Sequence, residues 1–216
     1  MGKCPILLCS LIKILSVNLK KSFLVILLVL VADQVLKIWV KSNLLIGEEI
    51  NVLGNWFIIH FTENNGMAFG LQFGDKYGKL FLTFFRITSL LGIGWYLLNL
   101  IKQSATTYVI TSLSLIFSGT LGNIIDSLFY GIIFSDSYYQ PAVFMPEQGY
   151  AGLFHGKVVD MLYFPIIQFG LPSWFPIWPL EDVVFFRPVF NIADVAITFG
   201  VIQIILGGKH FFTKNV

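Results

Sequence analysis

Charge is what this sequence has least of. Of its 216 residues only 12% are Asp, Glu, Lys or Arg, while 56% are apolar and 22 are Phe. An ordinary soluble domain carries roughly 25% charged residues, so the balance argues against a water-soluble fold. The net charge of +2 is small and no basic tract is concentrated, which argues against a nucleic-acid partner. Cysteine is confined to two residues. Cys4 and Cys9 both sit in the N-terminal stretch, so neither a disulfide framework nor a zinc site is expected. His60, His155 and His210 are scattered. No Ser/His or Cys/His arrangement and no metal-ligand spacing is present, and no cofactor is expected.

What is there in quantity is long apolar sequence. Four runs, at about 23–40, 80–101, 107–129 and 190–206, are long enough, at roughly 17 to 25 residues, to cross a hydrocarbon core. The first has a basic flank like a signal peptide, but it contains Asp33 and Lys37 and no small-residue cleavage site, so it reads as a retained helix. The apolar stretch 6–15 before it is too short to span and is expected as an interfacial helix. Residues 1–22 carry Lys3, Lys13, Lys20 and Lys21 and no acid. The link after the second span carries Lys102, and the tail carries Lys209 and Lys214. The positive-inside rule puts these segments and both termini in the cytoplasm. The connections at about 41–79 and 130–189 are then outside. A single domain over 1–216 is expected.

Taken in order, the first span is interrupted by Asp33, Gln34 and Lys37 in its outer half. Asp33 and Lys37 stand i,i+4 and can pair along one face, either within a site or as a structural pair with the lysine snorkelling outward. Short β-branched and aromatic runs at 50–53 and 55–61, separated by Gly54, predict a hairpin, and Asn65-Gly66 predicts a tight turn after it. Arg86 lies one turn into the second span, within reach of headgroups or a carboxylate. The third span ends in Gly119-Thr120-Leu121-Gly122-Asn123-Ile124-Ile125-Asp126, where the glycines permit close helix approach. Residues 155–163 read as a short strand that sets Asp160 among apolar neighbours. The stretch 169–178 is dense in Pro, Trp and Phe and is expected at the outer interface. Glu181, Asp182 and Arg187 read as solvated charges.

Asn123 and Asp126 stand three apart, as do Asn191 and Asp194 at the start of the last span. On a helix each pair shares one face. Both arrive at the outer surface, where ionisable groups in so apolar a chain mark a functional site. Asp33, Asp126 and Asp160 are the candidate partners for Asp194. Two carboxylates sharing a proton form a water-activating dyad: one takes a proton from water attacking a carbonyl, and the other, protonated, polarises that carbonyl.

These residues fall into five groups: Asp33-Gln34-x-x-Lys37, Asn64-Asn65-Gly66-Met67-Ala68-Phe69, Gly122-Asn123-x-x-Asp126, Val158-Val159-Asp160 and Phe190-Asn191-x-Ala193-Asp194. In kind and order they resemble the motifs of lipoprotein signal peptidase (signal peptidase II), from the first span to the last. The resemblance implies an all-α membrane protein of four transmembrane helices, with a small extracytoplasmic β-cradle and an extended outer loop. It implies an aspartyl endopeptidase of the bacterial cytoplasmic membrane. Such an enzyme cleaves prolipoproteins before their diacylglyceryl-modified cysteine at the outer face, with prolipoprotein and membrane lipids as partners. It makes Asp160 and Asp194 the catalytic pair, with Asn64, Gly66, Asn123 and Asn191 around the substrate and the dyad, and Asp33, Lys37 and Asp126 in support.

Two departures stand out. Ser127 follows Asp126 where the family usually has Arg, which leaves Arg86 or Arg187 to supply a positive charge. Thirty-three residues lie between Asp126 and Asp160, more than the family's compact spacing. The insertion, about 130–155, is expected as an extra lid or partner surface. Two other readings remain open: a proton- or ion-coupled transporter built on the same carboxylates, and an assembly factor whose polar pairs only join helices.

Overall fold

The computed structural model describes residues 6–65, 76–170, 182–185 and 187–207. Gly66 with the turn it was expected to make, the stretch 171–181 with Glu181, and Lys209 and Lys214 lie outside the described residues.

The first helix, α1 (Ile6–Asn43), is continuous over 38 residues. The separate interfacial piece expected at 6–15 is thus corrected: residues 16–22 contain neither Gly nor Pro, so nothing stops the helix before the span begins. A hairpin of β1 (Glu49–Leu53) and β2 (Phe57–Asn64) follows, then α2 (Lys76–Lys102) and α3 (Thr107–Ile125). A π-helical turn (Asp126–Tyr130) and a last turn α4 (Gly131–Ile133) extend α3. After the insertion come β3 (Val158–Tyr163), the paired strands β4 (Ile167–Gly170) and β5 (Asp182–Phe185), β6 (Val189–Phe190) and α5 (Ile192–Leu206).

Three stretches, Leu15–Asn43, Gly78–Lys102 and Thr107–Ile133, are long and apolar enough to cross a membrane. The apolar helix α5 has 15 residues, about 22 Å at 1.5 Å per residue, against a hydrocarbon core of about 30 Å. Burial along these helices runs opposite to that of a soluble bundle. Phe23, Leu28, Phe81, Leu91 and Leu206 face outward, while Asp33, Lys37, Ser112, Ser114, Ser118, Asn123 and Asp126 are buried. Polar groups inside and apolar groups outside are what a lipid solvent selects.

Helix α3 is the hub, packed against α1, α2 and α5. A methyl group at Gly119 would collide with the Ala193 carbonyl, and one at Gly122 would come within 2.8 Å of Asp33 Oδ2. The glycines therefore let α5 and the Asp33 carboxylate reach the α3 backbone, as expected.

The strands form an antiparallel sheet in the order β1-β2-β3-β6. The hairpin turn holds Gly54 at φ +53°, a conformation that favours glycine. Thr62 pairs with Asp160 and Asn64 with Val158. Strand alternation then divides the sheet. Phe61, Val159 and Met161 face a core with Val40, Leu44, Tyr130, Phe134 and Ala142, while Asn64 and Asp160 share the opposite face.

The insertion is no detached lid. Its Phe134 and Ala142 belong to that same core. Its backbone is stitched to α1 by Ala142 N–H to the Lys41 carbonyl (2.9 Å), and to the end of α3 by Gly156 N–H to the Ser127 carbonyl (2.9 Å). The lid expectation fails because a run of Phe, Tyr and Ala at this place has an apolar sheet face to cover.

Candidate active site

Lys37 is the cation around which the buried polar groups assemble. Its ammonium is fully buried and lies 2.8 Å from Asp33 Oδ2 and 2.7 Å from Asp126 Oδ2. Its third partner is Asn123 Oδ1 at 2.9 Å. Three donors meet three acceptors, which is the full capacity of a lysine. The snorkelling alternative is excluded by this geometry: the side chain turns inward because two buried carboxylates would otherwise be uncompensated. Gln34 completes the group, donating to Asp126 Oδ1 at 2.9 Å and accepting from the Tyr130 hydroxyl at 3.1 Å.

Asp33 and Asp126 also brace backbone. Asp33 Oδ1 accepts the Ala193 N–H at 2.9 Å, tying α1 to the first turn of α5. Asp126 Oδ2 accepts the Val159 N–H at 3.4 Å, tying the π turn to β3. These two bonds fix the elements that carry Asp194 and Asp160.

Asn191 does not share a helical face with Asp194, as its spacing suggested. It precedes α5 as the N-cap, in extended backbone directly after β6. The pair meets through a capping box: Asp194 N–H donates to Asn191 Oδ1 at 2.9 Å, and Asn191 N–H donates to Asp194 Oδ2 at 3.4 Å. The free Asn191 amide then donates to Asp160 Oδ1 at 2.7 Å, with Asn123 Oδ1 and the Val159 carbonyl at 3.1 and 3.2 Å. One asparagine thus touches both aspartates.

Asn123 works from the other side. Its oxygen accepts from Lys37 and Asn191, so its amide nitrogen is turned to Asp194 Oδ1 at 2.8 Å. The two Asn-x-x-Asp pairs expected at one depth therefore interlock. Asn64 adds a hydrogen bond to Asp160 from β2.

Asp160 is buried on β3. Burial first, and the neighbouring Asp194 carboxylate second, push its pKa up to about 7, against the opposing pull of Lys37, Asn64 and Asn191. A carboxyl group in that range carries a proton for much of the time near neutrality. Arg86 on α2 lies within electrostatic reach of Asp194, Asp160 and Asp126. Arg187 is exposed. Of the two candidates to replace the missing arginine, Arg86 is the one the fold brings near. Ser127 itself turns back to the Asn123 carbonyl at 3.0 Å.

A cavity of about 350 Å³ opens beside Asp194, lined by Pro188, Phe190, Val195, Thr198 and Phe199. Among the described residues no three His, Cys, Asp or Glu side chains converge as metal ligands would. Sequence reasoning missed the part of Gln34, whose amide links two motifs, and that of Glu63, which neighbours Asn64. Gln34 reaches Asp126, 92 residues away, and Glu63 reaches Lys41 and Lys157, 22 and 94 residues away, where no local period could reveal them.

The family model described as signal peptidase (SPase) II matches residues 25–208. The lipoprotein signal peptidase of Porphyromonas gingivalis is 50% identical over 184 residues, covering 84% of this chain and 79% of that protein. That of Amoebophilus asiaticus is 42% identical over 193 residues, covering 88% and 78%. Among solved structures, a bacterial membrane enzyme determined by the in meso method at 1.9 Å superimposes with a TM-score of 0.57 at 25% identity, covering 87% of this chain and 92% of that one.

Proposed function

The chain belongs to the signal peptidase II family, whose activity is the removal of signal peptides from prolipoproteins, and on that premise we propose that Asp160 and Asp194 are its catalytic pair. The observation that carries the assignment is Asn191, which hydrogen-bonds both carboxylates and holds them on either side of one strand-to-helix junction. Family membership leaves the transporter reading without support.

In this reading Asp194 is the base. Its two oxygens accept N–H donors from Asn123 and Asn191, which suits a carboxylate that only accepts. It takes a proton from water as the water oxygen bonds to the scissile carbonyl carbon. Asp160, protonated at working pH, donates to the carbonyl oxygen and stabilises the tetrahedral intermediate. The C–N bond then breaks, and a proton returned from the pair goes to the leaving amine. That amine belongs to the diacylglyceryl-modified cysteine, and the acyl product is the new carboxyl terminus of the signal peptide. Asn64 keeps Asp160 in place, Asn123 and Asn191 place the base, and Lys37 with Asp33 and Asp126 forms the frame. Gly66 belongs to the same substrate-contacting group.

The apolar cavity beside Asp194 suits the acyl chains or the apolar signal helix entering sideways from lipid. The charge bias supports a site at the outer face of the cytoplasmic membrane with both termini inside, and the 15-residue α5 is read as the fourth span. Asp160 and Asp194 then meet a substrate whose scissile bond lies at the same interface.

The test is product analysis. Purified protein is incubated with a prolipoprotein peptide carrying a diacylglyceryl-modified cysteine and with its unmodified twin. Mass spectrometry should find one cut, directly before the modified cysteine, and none in the twin. A cut elsewhere, or equal cutting of both peptides, would remove this reading.

A further inference from the structure

Behind the sheet face that carries Asn64 and Asp160 lies a second buried ionic cluster that takes no part in the proton transfers described above. Glu63 of β2 turns to the opposite face. It is almost fully buried and paired with Lys41 at the end of α1 and with Lys157 at 3.0 Å. The insertion supplies the walls. Ser137 Oγ sits 2.9 Å from Lys41 Nζ, and the Tyr150 ring lies 4.8 Å from Lys41 Nζ and 5.5 Å from Lys157 Nζ. The Tyr150 hydroxyl accepts the Lys157 N–H at 2.7 Å. Burial alone would lower the Lys157 pKa, but Glu63, together with Tyr138 and Asp136, outweighs it and holds the ammonium above the ordinary lysine value. Lys79 of α2 ties the two segments leaving this cluster, to Asn65 Oδ1 at 3.2 Å and to the His155 carbonyl at 2.7 Å.

We propose that Glu63, clamped by Lys41 and Lys157, is a positioning residue for the cleavage reaction, which sets through the next residue the place of the Asn64 amide on Asp160. The insertion, by walling the clamp, is part of the catalytic apparatus. This rests on the reading of Asp160 and Asp194 as the catalytic pair. The chemistry favours a charged clamp over an apolar one because one carboxylate held by two ammonium groups fixes strand β2 along its length as well as against the core. A shift of β2 by a fraction of a residue would leave the hydrophobic contacts nearly intact and still lose the Asn64 bond. Misplacement on the scale of 1 Å is enough to cost up to about a hundredfold in rate.

The groups facing Asp160 are Asp194 from α5, Lys37 from α1, Arg86 from α2, and the amides of Asn64 and Asn191. Those around Glu63 are Lys41, Lys157 and Lys79, with Asp136 in range of the first two. This makes the sign of a pH shift diagnostic. Removing the Glu63 charge acts through space to make Asp160 easier to ionise, which would move the alkaline limb of activity down. Losing the Asn64 bond, which favours the ionised form, moves that limb up.

The experiment is a pH profile of cleavage of the modified peptide by Glu63→Gln, Lys157→Met and Asn64→Ala, alone and combined, in protein shown to be membrane-inserted and folded. The expected result for Glu63→Gln is a kcat about tenfold lower, KM within about twofold, and an alkaline limb at higher pH, as in Asn64→Ala. Lys157→Met, at a partly exposed site, should lose about threefold in kcat. In the Asn64→Ala background neither change should lower kcat further by more than about twofold, the non-additivity of residues acting through one another. A wild-type kcat, an alkaline limb that moves down in Glu63→Gln, or losses that multiply in full onto Asn64→Ala would each overturn the proposal. Should Glu63→Gln fail to fold, the cycle between Lys157→Met and Asn64→Ala decides in the same way. Asp160→Asn and Asp194→Asn run beside these: their inactivity with a neutral Glu63→Gln removes the clamp alone, and their activity removes the catalytic pair.

Discussion

Asp160 is the residue at which stability and activity pull in opposite directions. Its raised pKa means that the folded state favours the neutral form. That contribution is complete below the unfolded value of about 4 and is lost as pH rises through about 7. The melting temperature of the wild type should therefore fall across that interval. Asp160→Asn, which cannot ionise, should be flat there and melt about 5 °C higher at pH 8, on the order of 2 kcal/mol, while being inactive. Scanning calorimetry or fluorescence melting at pH 5 and pH 8 checks it, and an equal slope in both proteins would refute it. Activity should fall as pH rises through about 7, because the general acid is lost as Asp160 of the folded protein ionises. Lys37 behaves differently. Lys37→Met leaves Asp33 and Asp126 buried without their cation, a loss of about 3–5 kcal/mol. The expected outcome is failure to accumulate in membranes, measured by immunoblot, in contrast to the stable but inactive Asp160→Asn. At this scale the sequence was largely legible: Asp33, Lys37, Asn64, Asn123, Asp126, Asp160, Asn191 and Asp194 do converge. Composition alone left three partners for Asp194, because spacing along the chain says nothing about which strand approaches which helix.

At the scale of elements, the hairpin and three long helices follow from apolar runs and turn residues. Two junctions do not. Asn191 lies between β6 and α5, so a pattern that counts it as helical misses the cap, although Asn followed three residues later by an acidic residue is a legible capping signal. The π turn at Asp126–Tyr130 has no signature in sequence. It lets the Gly156 backbone close onto the Asp126 carbonyl, where a Cβ would collide. Gly156→Ala should accordingly destabilise the protein, by about 1–3 kcal/mol through overpacking, seen as a lower melting temperature. The sequence misplaces the insertion for a related reason: its apolar residues read as a lid or partner surface as readily as core. Since Phe134 and Ala142 are core, deletion of 134–150 should abolish folding rather than merely trim activity. A deleted protein that still inserts, melts cooperatively and cleaves would contradict that.

For the molecule as a whole, the helical assembly buries its charge and exposes many apolar side chains, and the buried charged groups gather at the end that carries the sheet. The apolar cavity beside Asp194 opens at that end. Thr198→Trp, one turn along α5 from Asp194, should fill it and raise KM for a diacylated peptide by about tenfold, with kcat changed less. An unchanged KM would move lipid binding elsewhere. Two carboxylates joined through Asn191 are proposed to perform the cleavage. The decisive measurement is single-turnover cleavage of a diacylglyceryl-modified prolipoprotein peptide by wild-type protein, Asp160→Asn and Asp194→Asn, each verified as folded in lipid nanodiscs. The wild type should cleave before the modified cysteine and both variants should be slower by about a thousandfold or more. Either folded variant cleaving at the wild-type rate would contradict the account.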